Sequence, residues 1–361
     1  MKANKFGSTG SRALSSGLRA GKVCEVRLRE WDPGAAPETE LAAWLRAYNR
    51  ALANDLPGDP LWGSDRLRDY LTVTMPGERR LTWIAEDGAD IVGYGRLLLM
   101  YGMGVVELFV VPAQRHSGVG RQLLTAMADR AVSEGFTSLG LEVIGGTYAV
   151  DFYRSHGFSH AFTEMRSILD LTTVDWQHLA EMADGVAHGY RIEYYEGTIP
   201  EPMLAPYAEA KQVRQAEPTG DLELRPSSYD VDRLRASLQC LNARGMKPYC
   251  VVAVHERTEE VAGLTEVVVP AQHPSRADQY DTIIVPEHNG YGLARAIKAR
   301  MLLELRAAET RLREVQTWHA LEREELLQIN SELGFKADRE WREYEVDARE
   351  LAAQLHALKL T

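Results

Sequence analysis

Cysteine is scarce in this chain: Cys24, Cys240 and Cys250 are the only three among 361 residues. An odd number without metal-ligand spacing excludes a disulfide framework and a cysteine-based metal site. It fits a reducing compartment, so a cytoplasmic protein with no bound metal is expected. Long apolar runs are missing as well, which excludes a membrane-spanning helix. Positive charge is in deficit, with 41 Lys and Arg against 52 Asp and Glu and a formal net charge of -11. A surface of that sign argues against nucleic-acid or anionic-membrane partners and favours a cationic substrate. Residues 1–21 are rich in Ser, Gly and basic side chains but lack a hydrophobic segment. They read as a flexible tail rather than a secretory signal.

The remaining composition is that of a globular protein, 45% hydrophobic and 26% charged, with room for two domains. One stretch, residues 105–124, organises the rest. It reads as a buried strand stopped by Pro112, then a polar turn with Gly118 and Gly120. An amphipathic helix follows, with Leu123, Leu124, Met127 and Ala131 on one face. That order makes an anion site: a helix N-terminus offers unpaired N–H groups, and glycine lets a phosphate approach the backbone. Around it the periodicity predicts strands at 23–29, 81–86, 91–100, 138–143 and 161–171, and helices at 37–54, 64–71 and 147–156. Gly157 suits the C-cap of the last of these helices.

The second half repeats this order. Residues 279–285 lead through Pro286 into Asn289-Gly290-Tyr291-Gly292 and a helix through Leu305. Gly334-Phe335 matches Gly157-Phe158, so the offset is 174 at the turn and 177 at the cap. A linker is expected at 173–188 and an added helix at 348–361.

The turn Arg115-His116-Ser117-Gly118-Val119-Gly120 resembles the acyl-CoA signature of the GNAT superfamily of N-acyltransferases, and the order of elements resembles theirs too. The resemblance implies an α/β (α+β) fold of two tandem GNAT domains. Each would be a mixed, mainly antiparallel sheet flanked by helices, whose central strands part to admit acetyl-CoA. The implied division is 22–172 for the first domain, the catalytic one, and 189–347 for the second. The resemblance also implies that Phe109 and Val110 hold the pantetheine arm through their backbone, and that Arg115, His116, Ser117, Gly118, Val119, Gly120 and Arg121 cradle the pyrophosphate. Tyr153, four residues before Gly157, stands where the family places a tyrosine facing the CoA sulfur.

The chemistry fits these types. Amine attack on a thioester expels a thiolate, which a phenol can protonate. Tyr148 and Phe152 are expected on the packed face of their helix, leaving Tyr153 free to point elsewhere; a core aromatic is the bland alternative. The amine must lose a proton, for which Glu107 is the candidate base and Glu142 a similar one on the next strand; an outward-facing residue is the alternative for both. No Ser or Cys lies in a nucleophile motif, which agrees with direct transfer to a primary amine of a small molecule. The second half keeps the glycines but has Asn289 in place of Arg115 and Asn330 in place of Tyr153, so it reads as a degenerate copy. Trp318 and His319, near the end of its central strand, read as packing residues. Two alternatives stay open: a mycothiol-synthase-like transferase with the second half active, and a non-catalytic CoA-binding or scaffold protein.

Overall fold

The computed structural model describes residues 26–75, 77–100, 102–213, 230–321 and 324–358. The tail at 1–21 lies outside them. In the first half the chain runs β1 (Arg27–Glu30), α1 (Glu38–Asp55), α2 (Leu67–Thr72), β2 (Arg79–Asp87), β3 (Asp90–Met100) and β4 (Met103–Val110). It continues through α3 (Val119–Ser133), β5 (Ser138–Ile144), α4 (Tyr148–Ser155) and β6 (Ser159–Asp170). The stretch read as a linker holds α5 (Trp176–Asp184). The second half follows as β7 (Tyr190–Glu196), α6 (Glu201–Gln212), α7 (Val231–Ala243), β8 (Met246–His255), β9 (Val261–Pro270) and β10 (Arg276–Ile284). It ends with α8 (Leu293–Ala308), β11 (Glu314–Ala320), α9 (Glu324–Glu332), β12 (Lys336–Asp347) and α10 (Ala348–Ala357).

The twelve strands among the described residues join in one sheet, ordered β1-β2-β3-β4-β5-β12-β6-β11-β10-β9-β8-β7. The halves exchange their last strands. β12 pairs antiparallel with β5 of the first half, and β6 pairs antiparallel with β11 of the second. Backbone polar groups at a sheet edge need partners, and this exchange leaves neither β5 nor β11 as an edge.

The helix after each exchanged strand follows it. Ala348, Leu351 and Leu355 of α10 are fully buried in one core with Leu123, Leu124 and Met127 of α3. Leu179, Met182 and Ala183 of α5 enter the second half's core with Ile297, Met301 and Leu305 of α8. The helix expected as a late addition is thus part of the first half's packing.

Between the halves lies a buried ionic junction. Arg166 on β6, 1% exposed, donates to both oxygens of Asp59 (2.7 and 3.1 Å) and to Asp338. Arg276 also meets Asp59, at 2.7 Å, and bonds to Glu314. A buried guanidinium is tolerated only with such pairing. The result fixes the loop after α1 over the middle of the sheet.

Candidate active site

The opening in the sheet comes from strand geometry. β4 and β5 are parallel neighbours only from Met103–Val105 against Ser138–Gly140. Beyond that point β4 runs on to Val110 along β3, and β5 runs on to Ile144 along β12, without pairing to each other. The second half repeats this, with β10 and β11 paired only from Arg276–Gln279 against Glu314–Thr317. The halves differ in detail: β4 is regular against β3, while β10 has an irregularity between Gln279 and Thr282.

At the open end of β4, Val111 and Pro112 turn the chain through one 3-10 turn into the N-terminus of α3. Gly118 precedes α3 with φ +88°, a conformation that side chains resist, and a Cβ there would meet nothing within 4 Å. The space over the helix N-terminus is therefore clear, as an anion cradle needs. His116 also has positive φ, +59°. Ser117 donates its hydroxyl to the Gln114 carbonyl (2.6 Å), which closes the turn, and Val119 is buried beneath it. A Cβ on Gly120 would sit at ordinary contact distance from Phe152 and Val110. These residues fit a bound pyrophosphate through their backbone. Arg115 faces inward: its guanidinium pairs with both oxygens of Asp55 (2.9 and 2.7 Å), its Nε donates to the Val110 carbonyl, and Tyr148 stacks on it at 4.4 Å. Its side chain ties the turn to α1 and to the end of β4.

On the α1 face of the sheet, Phe109 meets Trp44, Tyr48 and Tyr94, which form an aromatic wall. Two residues back, Glu107 is 40% exposed at its side chain and pairs with Arg96 at 2.6 Å across the strands. The register pairs Val105 with Gly140, so Glu142 lies on the same face of the sheet as Glu107, and the charge of Glu107 also acts on Tyr153 and Tyr94. Val110 is buried, and its carbonyl is taken by Arg115.

Tyr153 is 5% exposed, packed edge-on against Phe152 and Phe158, and no described residue bonds to its hydroxyl. Burial, with Tyr148 and Glu107 adding to it, pushes its phenol well above the ordinary value, so it keeps its proton. The expected facing of α4 is corrected here. Tyr148 is 43% exposed and held outside by Arg115, while Val150 and Tyr153 form the buried face.

Glu142 on β5 shares the face of Glu107. It is exposed to solvent yet surrounded by protein, and desolvation together with Glu164 and Glu107 pushes its carboxyl up to about 7. Glu343 of β12 stands directly opposite, and burial with Glu142 and Glu164 pushes it up to about 9. Sequence reasoning missed Glu164 and Glu343, because neither can be placed beside Glu142 without knowing that β12 crosses between halves.

The second half fills the matching place differently. Asp281, 174 residues after Glu107, and Glu266 hold the Lys211 ammonium at 3.0 and 2.6 Å, with Tyr207 donating to Glu266. Asn330 replaces Tyr153, is 2% exposed, and neither of its amide atoms has a partner among the described residues. A cavity of about 260 Å³ opens beside Lys211, Cys250 and Asp281.

Residues 78–160 match the family model described as "Acetyltransferase (GNAT) domain". Among solved structures, the chain is similar to a tandem GNAT protein from the clavulanic acid biosynthesis pathway. The two are 24% identical over 90% of this chain and 99% of that one, with a TM-score of 0.76. A GCN5-related N-acetyltransferase from Sphaerobacter thermophilus is 16% identical, with 90% and 96% covered and a TM-score of 0.62. A putative acetyltransferase from Pyrococcus horikoshii is 12% identical, with 89% of each chain covered and a TM-score of 0.53. None of the curated proteins compared matches the sequence. No helix among the described residues is long and apolar enough to cross a membrane.

Proposed function

On the premise that this chain is a tandem GNAT protein, we propose that its first half transfers an acetyl group from acetyl-CoA directly to a primary amine of a small molecule in the cytoplasm. One observation carries the reading. What supports it is that the first half combines parted β4 and β5, an open glycine turn, a Tyr153 that burial keeps protonated and Glu107 on β4, whereas the second half has Asn330 and a Lys211-bound Asp281 at the matching positions. Acetyl-CoA, when bound, supplies the thioester. The α3 N-terminus with His116, Ser117, Gly118, Val119, Gly120 and Arg121 would hold its pyrophosphate, and the backbone of Phe109 and Val110 its pantetheine arm. Arg115 keeps that turn in place. Glu107 takes the proton of the attacking amine, and Tyr153 gives one to the departing thiolate, a division of labour that suits a phenol buried in its protonated form.

The domain division at residue 172 is retained as part of this reading, with 22–172 catalytic and 189–347 shaping the site. The irregular β10 and the cavity beside it favour a second reading, with the second half active. Against it, Lys211 already occupies the carboxylates where an amine would bind.

An amine panel monitored by thiol release tests the assignment. Tyr153→Phe should lower kcat by about a hundredfold or more, while acetyl-CoA still stabilises the variant against heat. Full turnover in Tyr153→Phe would remove the tyrosine from the chemistry.

A further inference from the structure

The strand register puts a charged row on the α1 face of the first half. Thr82, Arg96 and Glu107 stand opposite one another on β2, β3 and β4, beside the row of Ile84, Tyr94 and Phe109. Arg80 comes two residues before Thr82, so it shares that face. Its Nη1 donates to the Tyr70 carbonyl at 2.7 Å, which fixes it under α2. Arg244 arrives from the second half. It donates from Nε to the Val73 carbonyl at 2.8 Å, just past α2, and meets Glu78 at 3.4 Å. The Tyr70 phenol marks where these groups converge, since the charges acting on it are those of Arg96, Glu107, Arg80 and Arg244.

Three guanidiniums here face two carboxylates. Arg96 has Glu107 at 2.6 Å and Arg244 has Glu78, but Arg80 forms no ion pair among the described residues. Arg96 and Arg244 add like charge to it, and with burial they make its own charge costly. The Nε atoms of Arg80 and Arg96 are both buried without a hydrogen-bond partner among the described residues. Guanidinium donors left in that state mark a place that a bound anion completes, and a carboxylate is the group whose two oxygens fit them.

The surroundings say what else the molecule carries. Glu107 and Arg96 are in contact, so a ligand bringing both an ammonium and a carboxylate exchanges partners with them. An α-amino acid has these groups on one carbon, about 2.5 Å from nitrogen to carboxyl carbon, which matches a pair in contact rather than two separated sites. Beside them the half-buried rings of Tyr48, Trp62 and Tyr70 stand edge to face at 5.0 and 4.8 Å, and Tyr48 meets Phe109 at 5.6 Å. That wall suits an apolar or aromatic side chain.

We propose that the acceptor of the first half is an α-amino acid with an apolar or aromatic side chain, its carboxylate held by Arg96 and Arg80, its amine on Glu107 and its side chain on the rings of Tyr48, Trp62 and Tyr70. The inference rests on the acetyltransferase reading of that half.

The test compares phenylalanine and leucine with phenethylamine and isopentylamine, the same bodies without the carboxylate, by calorimetric binding and by thiol release with acetyl-CoA. The amino acids should bind at least about tenfold more tightly and show a kcat/KM higher by the same factor. Arg80→Gln should narrow that ratio and Arg80→Lys should keep more of it, with the acetyl-CoA thermal shift reporting that the variants are folded. Equal binding of amino acids and amines overturns the inference, as does a ratio that Arg80→Gln leaves unmoved. Hydrocinnamate binding as tightly as phenylalanine also overturns it, because the amine would then have no site on Glu107. Amino-acid binding that depends on Arg80 without any acetyl transfer would overturn the acetyltransferase reading and leave the carboxylate site standing.

Discussion

Lys298 sits on α8 at 1% exposure, its Nζ lies over the Phe335 ring at 5.6 Å with no hydrogen-bond partner among the described residues, and burial pushes its ammonium down to about 7. An unfolded lysine titrates near 10.4. The native state is therefore penalised fully below about pH 7, less as pH rises, and not at all once both states are neutral. Lys298→Met should raise Tm by several degrees at pH 7 and by almost nothing at pH 10, as read by thermal melts at the two pH values; an equal gain at both would contradict the account. At this scale the sequence was partly legible. The glycine turn is readable from its own motif and Glu107 as an isolated acid on the apolar strand before it, and the repeat adds a second copy for comparison. The facing of Tyr153 is not readable, because α4 is a short helix, Tyr148–Ser155, whose first turn is set by Arg115 stacking on Tyr148. Periodicity carries no information about such a contact.

Among the elements, α10 shows how far local pattern reaches. The apolar spacing of Leu351 and Leu355 predicted a helix, and a helix is there. Its partner was hidden, since it packs on α3, more than two hundred residues earlier in the chain. Gln354 reinforces the docking by donating to the Ser155 carbonyl (3.1 Å), and His356 reaches Asp129 at 2.8 Å. Leu351→Ala should cost about 2–5 kcal/mol in denaturant unfolding. A cost near zero would show that α10 is peripheral.

For the whole molecule, the exchange of β6 and β12 makes the two halves one sheet and locks them through Arg166, Asp59 and Asp338. Most elements and their order were readable from hydrophobic period and glycine punctuation, but α5 fell in the stretch expected to be a linker. The exchange was not readable, because strand partners are chosen by non-local packing, and Ser159–Asp170 would look the same beside β5 or β11. It is also what brings Glu343 beside Glu142. The two copies then diverge: the first has Tyr153 and Glu107 where the second has Asn330, its amide atoms without a partner among the described residues, and Asp281, held with Glu266 by Lys211. The central claim is that acetyl-CoA is held by the first turn. Gly118 and Gly292 both have positive φ, at +88° and +71°, with open space where a side chain would project, so glutamate at either should block its own turn. The deciding measurement is the acetyl-CoA-induced shift in Tm for the wild type, Gly118→Glu and Gly292→Glu. The account predicts a shift in the wild type that Gly118→Glu abolishes and Gly292→Glu keeps; a shift lost in Gly292→Glu and kept in Gly118→Glu would contradict it.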